Sequence, residues 1–582
     1  MRNLAKCRLG VALTLAAALA GCGGEDTGTG EDDLTQKVLK EGSPEALGVL
    51  ALVNDVEISA AILKGEAGVE SRAATNIVAH RDAADGKPGT ADDDPFDDVR
   101  ELDEIKYVGD AAIKKLLAFA KAKGYVGAGG PIEVIFSPQP ADKSHNAKIA
   151  QTIDTATTSL DIAQYSFSDA GIQAALKRAV DRGVKVRFIF ETASEDKKLT
   201  GSALTSSKSG KLESIGVNVR WVNKIMHHKF MIVDGPRDDA GRASSAKLVS
   251  GSGNWSNGAA TLYDENTMFM SAQPELSLRL QREFNTLWEH SGDLASNTSL
   301  PYELSSLSIT DDLIEDRADA HVYFTSNNFK VSGTTFTVLG TNEIADQWVK
   351  AISEAKKSIH VASGHLRSRP VSEALMAKMD ADPDVDVVVY LDGQEYVSSS
   401  TNEIQKDDLD ACLAAAGTSE SKKRSCLDKG FLFGLEVGKA GADVRYKYYA
   451  YRWDVTYAKQ MHHKYMVVDG TDLYTGSYNL SDNAEHNTFE NMFVFKGATY
   501  AALAAAYEQN FSTIRETGRA EGKLADLIET VENESTIPIV FEPMALTWQE
   551  ITDLKAKIRS ECPAVDSTEY RSNAAAHQTC TK

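Results

Sequence analysis

The sequence is short of positive charge. Against 84 aspartates and glutamates it sets 62 lysines and arginines, a formal net charge of −22 over 582 residues. DNA and RNA ordinarily draw on a broad basic surface, so this balance argues against a long polyanion as natural partner and leaves room only for a small basic pocket. The apolar stretch at the N-terminus, Leu9 to Ala20, is too short to span a bilayer as a helix. Cysteine is sparse, with six in the chain. Hydrophobic content is an ordinary 42%, and at about 150 residues per domain the length predicts three or four domains, enough to bury a large core.

Arg2, Lys6 and Arg8 precede the apolar stretch, and small residues follow it, the order of an export signal. Leu19-Ala20-Gly21-Cys22 resembles the lipobox of bacterial lipoproteins. The resemblance implies a signal peptide over 1–21, a lipid on Cys22, an acidic tether over 22–42, and a membrane-anchored protein of the bacterial envelope, in the outer membrane or periplasm. Cys7 would leave with the signal. Of the four cysteines left, Cys412 and Cys426 bracket one polar loop and Cys562 and Cys580 another, which in an oxidising setting predicts two local disulfides. Neither spacing suits a metal.

Residues 43–128 form a separate unit containing "AGVESRAATNIVAHR" (67–81) and "IKYVGDAAIKKLLAFA" (105–120). It resembles a tandem helix-hairpin-helix module, and the expected domain is small and all-α. In that family a Gly-hydrophobic-Gly hairpin lets backbone N–H groups approach a DNA phosphate. Each hairpin here lacks one glycine: Gly68-Val69-Glu70 ends in an acid and Tyr107-Val108-Gly109 begins with a ring. The acidic loop 82–98 adds repulsion and lacks the spacing of an EF-hand, so a solvated charge run is expected there. The module is better suited to an unidentified protein partner than to DNA.

"KIMHHKFMIVDG" (224–235) returns almost unchanged as "KQMHHKYMVVDG" (459–470). The duplication is wider than these twelve residues. "IEVIFSP" (132–138), a helix-like stretch at 147–156, "SLDIAQYSF" (159–167) and "AVDRGVKVRFIF" (179–190) are matched in order by "HVYFTSN" (321–327), "IADQWVKAISEAKKSIHVAS" (344–363) and "VDVVVYLDG" (385–393). Alternating strands and helices predict an α/β sandwich in each half, over 131–300 and 315–520, set back to back. A C-terminal extension, 521–582, carries no chemistry in its sequence.

Each copy holds His-x-Lys, an Asp five positions later, Gly-Ser-x-Asn, then Glu-Asn. The first set is His227, Lys229, Asp234, Ser252, Asn254 and Glu265; the second is His462, Lys464, Asp469, Ser477, Asn479 and Glu490. "HHKFMIVD" reads as a strand, so residues two apart share a face: His with Lys, and Ser with Asn. One strand then offers a nucleophile and a cation while its neighbour offers hydroxyl and amide donors, a combination suited to a phosphate. His228 and His463, on the opposite face, are expected in the core, and Asp234 and Asp469 in structural ion pairs.

These are the HKD motifs of the phospholipase D superfamily, which the chain resembles from about residue 131 to 517. The resemblance implies two pseudo-symmetric halves sharing one active site, a covalent phosphohistidine, and hydrolysis without metal or other cofactor. It makes His227 the nucleophile and His462 the general acid that later activates water, with the reverse assignment open. Lys229, Lys464, Asn254 and Asn479 would hold the equatorial oxygens, and Glu265 and Glu490 would fix the imidazole tautomers.

The implied substrate is a phospholipid at a membrane surface, cut to phosphatidic acid and a free headgroup. An exported nuclease acting on DNA or RNA is the alternative, and a tethered non-catalytic binding protein a third. "RYKYYAYRWDVTYA" (445–458) interleaves rings with cations and fits a membrane interface, stacked bases or a half-buried strand.

Overall fold

The computed structural model describes residues 39, 44–125, 132–294, 307–427, 431–449, 459–517, 523–533 and 542–573, apart from the single positions 57, 89, 91, 97, 124, 315 and 565. The expected signal and Cys22, nearly all of the tether, Cys580 and residues 450–458 lie outside them.

The duplicated sequence builds two eight-stranded sheets. In spatial order the first runs Ile132–Ser137, Glu265–Ser271, Lys247–Gly251, Lys229–Val233, Ser159–Gln164, Lys185–Phe190, Asn218–Trp221 and Gly292–Asp293. The second runs Ala320–Phe324, Asn491–Phe495, Asp472–Gly476, Lys464–Val468, Ser358–Ser363, Asp386–Asp392, Asp443–Tyr448 and Met544–Thr547. The two orders correspond strand for strand. Parallel pairing joins Ser159–Gln164 to Lys185–Phe190, as it joins Ser358–Ser363 to Asp386–Asp392. The last strand of the second sheet comes from the C-terminal extension, which pairs antiparallel with Asp443–Tyr448. Its sequence gave no warning of a strand.

Both histidine strands are buried on both faces, which explains why they are apolar throughout. Phe230 and Ile232, with Tyr465 and Val467, join one cluster that spans the two halves. Met231 and Val233 face a cluster of the first half, and Met466 and Val468 one of the second. Alternation along a strand thus divides each between its own helices and the opposite half. Helices Pro274–Glu289 and Ala501–Thr517 complete the shared cluster through Phe284, Leu287, Ala504 and Tyr507.

The unit before the halves is all-helical: Pro44–Asn54, Ala60–Gly65, Ser71–Arg81, Val99–Glu104 and Asp110–Ala122 enclose Val49, Leu63, Ile77, Leu102 and Ile113. Glu70 caps the helix that starts at Ser71, accepting from the N–H groups of Arg72 and Ala73 at 2.9 and 3.2 Å. A carboxylate therefore occupies the amides a phosphate would need.

Three local expectations are corrected. Cys412 and Cys426 form a disulfide, yet they stand on helices Ser399–Ala416 and Glu420–Leu427 rather than at the ends of a loop. Cys562 is also disulfide-bonded. The strands begin at Lys229 and Lys464, so the paired histidines precede them. Ser252 and Asn254 likewise follow the end of Lys247–Gly251 instead of extending it. Of the segment 445–458, residues up to Tyr448 belong to the strand Asp443–Tyr448, partly buried.

Candidate active site

Each histidine strand lies fourth in its eight-stranded sheet, and a glycine at the end of the neighbouring strand lets it close on the Glu-Asn strand beyond. A Cβ at Gly251 would lie 2.2 Å from the carbonyl oxygen of Asn266, and one at Gly476 2.3 Å from that of Asn491. No other residue type fits that approach. The following Ser252 and Ser477 are buried and accept from the N–H of Asn266 and Asn491, at 2.9 and 3.0 Å. Their hydroxyls thus lock the Glu-Asn segments in place, and Ser477 donates to Glu490 at 2.7 Å.

Those Glu-Asn segments serve the opposite half. Nδ1 of His227 lies 2.8 Å from Glu490, and Nδ1 of His462 lies 2.7 Å from Glu265. With Nδ1–H donated to a carboxylate, Nε2 is left bare on each ring. The neighbouring pairs repeat the exchange. Asn491 donates to Nδ1 of His228 at 3.0 Å and Asn266 to Nδ1 of His463 at 3.1 Å. His228 also reaches Glu283 at 3.0 Å, whereas Nε2 of His463 is buried without a partner among the described residues. His228 and His463 are fully buried, as expected of core residues.

Lys229 and Lys464 turn back along their strands and donate to the carbonyls of His227 and His462, at 2.7 and 2.6 Å. Burial pulls their pKa values down, Lys229 to about 7 and Lys464 to about 8. Burial, helped by both lysines, holds His227 well below the ordinary imidazole range. Burial likewise takes His462 down to about 4. Both shifts favour the neutral imidazole. Asn254 and Asn479 each keep Oδ1 buried and unpartnered among the described residues. Asn479, His227, Glu490 and Tyr165 line a cavity of about 190 Å³.

Among the described residues Asp234 and Asp469 form backbone contacts in place of the expected ion pairs. Asp234 accepts from the N–H groups of Thr157, Thr158 and Ser159 at 2.7 to 3.1 Å. Asp469 accepts from those of Lys356, Lys357 and Ser358 at 2.6 to 3.1 Å. Both sit at positive φ, 51° and 55°, a conformation that aspartate tolerates better than most residues. Each staples the chain entering the strand beside its own motif.

Several positioning groups escaped the sequence reading. Glu191 accepts from the N–H of Met226 at 2.6 Å and Asp392 from that of Met461 at 2.9 Å, each fixing the backbone just ahead of a histidine pair. They occupy equivalent positions at the ends of equivalent strands, a signal the repeat contained. His145 holds the carbonyl of Asn254 at 3.0 Å, and Lys447 pairs with Asp264 at 2.8 Å across the halves. Those two have no counterpart in the repeat.

Two halves of like topology that exchange glutamates onto each other's histidines define a phospholipase D-like molecule. The model of the family described as cardiolipin synthase, PLD-like domain, matches residues 149–288 and 348–515, more than half of the chain, and the chain belongs to that family. It is similar to the mitochondrial cardiolipin hydrolase of Danio rerio, 34% identical over 148 residues, which are 25% of this chain and 57% of that one. The human protein of that name is 29% identical over 152 residues, 26% and 53% of the two chains. The chain thus spans between half and three-fifths of the length of these relatives. Among solved structures, the phospholipase D family member Nuc of Salmonella typhimurium is 26% identical, covering 28% of this chain and 99% of that one, with a TM-score of 0.24. Phosphatidylserine synthase of Haemophilus influenzae Rd KW20 is 11% identical over 65% of this chain and 85% of that one, with a TM-score of 0.42.

Proposed function

We propose that the chain is a phosphodiesterase that hydrolyses a phospholipid to phosphatidic acid and a free headgroup without a metal. One observation carries the reading: two neutral imidazoles, each oriented by a buried glutamate of the opposite half, meet among two lysines whose charge burial has weakened. Burial holds down the charge of the lysines and raises Glu490 to about 7, so an arriving phosphodiester anion favours charged lysines and a proton on one imidazole. Nε2 of His227 attacks phosphorus, the bond to the headgroup oxygen breaks, and the proton on His462 passes to that oxygen. His462 then takes a proton from water, whose oxygen displaces His227 and frees phosphatidic acid.

Membership of a family described by cardiolipin synthase, and relatives named cardiolipin hydrolases, support a phospholipid. The net charge of −22 and the Glu70 cap weigh against nucleic acid. We further propose that lipid on Cys22 tethers the enzyme at an envelope membrane, beside its substrate. The test offers phosphatidylcholine, phosphatidylethanolamine and phosphatidylglycerol vesicles, and single- and double-stranded DNA, to the protein in EDTA, with His462→Ala as control. Headgroup release that vanishes in the variant is the expected result. Strand cleavage without lipid turnover would make it a nuclease.

A further inference from the structure

The pseudo-two-fold is broken at the mouth of the site. In the first half, residues 165–168 cross from the histidine pair to the Asn254 turn: the N–H of Tyr165 donates to His228 at 3.1 Å and that of Ser168 to Trp255 at 2.9 Å. Residues 364–367 make the same crossing in the second half, Gly364 to His463 at 3.1 Å and Arg367 to Leu480 at 2.7 Å. The side chains differ in kind. Tyr-Ser-Phe-Ser is uncharged, and its Tyr165 ring, 37% exposed, lies 4.6 Å from the His227 ring. Gly-His-Leu-Arg brings no side chain there: Gly364 packs so closely that a Cβ would come 3.0 Å from the Met461 carbonyl, and the His462 side chain is 19% exposed against 10% for His227.

Beside Gly364 stands a cluster that the function has not used. Glu395 is fully buried and accepts from Nδ1 of His365 at 3.0 Å, from the N–H of Leu366 at 3.1 Å, and from Nε and Nη2 of Arg367 at 3.0 and 2.6 Å. The His365 and Arg367 side chains remain about a third exposed, at 33% and 35%. Neither Nε2 of His365 nor Nη1 of Arg367 takes a hydrogen bond among the described residues. A buried glutamate holding Nδ1 of an imidazole repeats the design of the two catalytic pairs, here joined to a guanidinium. The counterparts in the first half, Ser166 and Ser168, have no charge.

We propose that His365 and Arg367, held by Glu395, form a leaving-group subsite for a second anion, selecting a headgroup that itself carries a phosphate. The inference rests on the phospholipid reading of the site. Nucleophile and leaving oxygen lie in line on opposite sides of phosphorus, so a group expelled by His227 departs on the His462 side. That is the side on which Gly364 lies against His462, and from it the chain runs directly into His365 and Arg367. A guanidinium anchored by two of its nitrogens keeps donors in fixed geometry for a phosphate, and His365 adds its Nε2 beside it. The first half offers no charged side chain at the matching positions, Ser166 and Ser168, so the second anion is held on one side only. Substrate polarity thus also decides which histidine attacks.

The test compares phosphatidylglycerol with phosphatidylglycerol phosphate, lipids that differ by one terminal phosphate, in phosphatidylcholine vesicles matched for total charge. The readout is the ratio of their kcat/KM values, in which any loss of folded enzyme cancels. The wild type is expected to favour the terminal phosphate by roughly tenfold or more, the size of one hydrogen bond to a charged group. Arg367→Gln and His365→Gln should bring the ratio towards one, and Arg367→Lys should keep part of it. A wild type indifferent to the terminal phosphate, or active on phosphatidylcholine alone, overturns the subsite and leaves the phospholipid reading intact, as does a preference unchanged in both glutamine variants. Cleavage of a single-stranded oligonucleotide with no lipid turnover overturns both.

Discussion

His227 and His462 make nearly the same contacts, so their roles are best separated by a leaving group that needs no proton. With a p-nitrophenyl phosphodiester the departing phenolate is stable without general acid catalysis. His462→Ala should then release close to one equivalent of p-nitrophenol per site in a rapid burst and stall at the phosphoenzyme, while His227→Ala gives no burst. Stopped-flow absorbance reads the difference, and a burst in the opposite variant would reverse the assignment. At this scale the repeat made the motif residues legible, because like aligns with like. It could not show that Glu490 serves His227, or Asn491 His228, since those contacts cross between copies 263 residues apart. For the same reason His145 and Lys447, present once each, left no signal.

At the scale of elements, the strand-helix order was legible from apolar periodicity, and the misjudged edges lie where a functional turn interrupts a strand. The motif aspartates illustrate the point. Five positions after each lysine, Asp234 and Asp469 look like charges seeking a cation, yet each leaves its strand at positive φ and collects backbone amides. Asp234→Ala should therefore cost about 1–3 kcal/mol for the orphaned amides, and about 1 kcal/mol more for an alanine held at positive φ. Specific activity of the folded fraction should stay near wild type. Burial alone would raise the Asp234 pKa, but the amides of Ser159, Thr158 and Thr157 bring it down to about 2. A depressed carboxylate stabilises fully above its unfolded pKa of about 4 and loses that contribution as pH falls towards the folded value. Wild type and variant should accordingly differ most in denaturant midpoint above about pH 4 and converge near pH 2. A constant difference across that window would exclude the carboxylate as the cause.

For the whole molecule, two similar halves build one site because each orients the other's motif histidine, Glu490 holding His227 and Glu265 holding His462. The reciprocal glutamates and asparagines supply orientation, and Asp264 with Lys447 adds a buried ion pair across the same boundary, with side chains 7% and 9% exposed. Removing one member strands the other without water. Lys447→Met should destabilise by about 3–5 kcal/mol, whereas Lys447→Met with Asp264→Leu should recover most of that loss, since an apolar pair of similar volume often replaces a buried ion pair without cost. Denaturant titrations of both single variants and the double variant give the coupling as a departure from additivity. Full additivity would mean that the pair does not join the halves energetically. The same variants separate stability from catalysis, because Asp264 directly precedes Glu265, whose carboxylate orients His462. A double variant with restored stability and slowed turnover would show the ion pair acting on the imidazole through that glutamate.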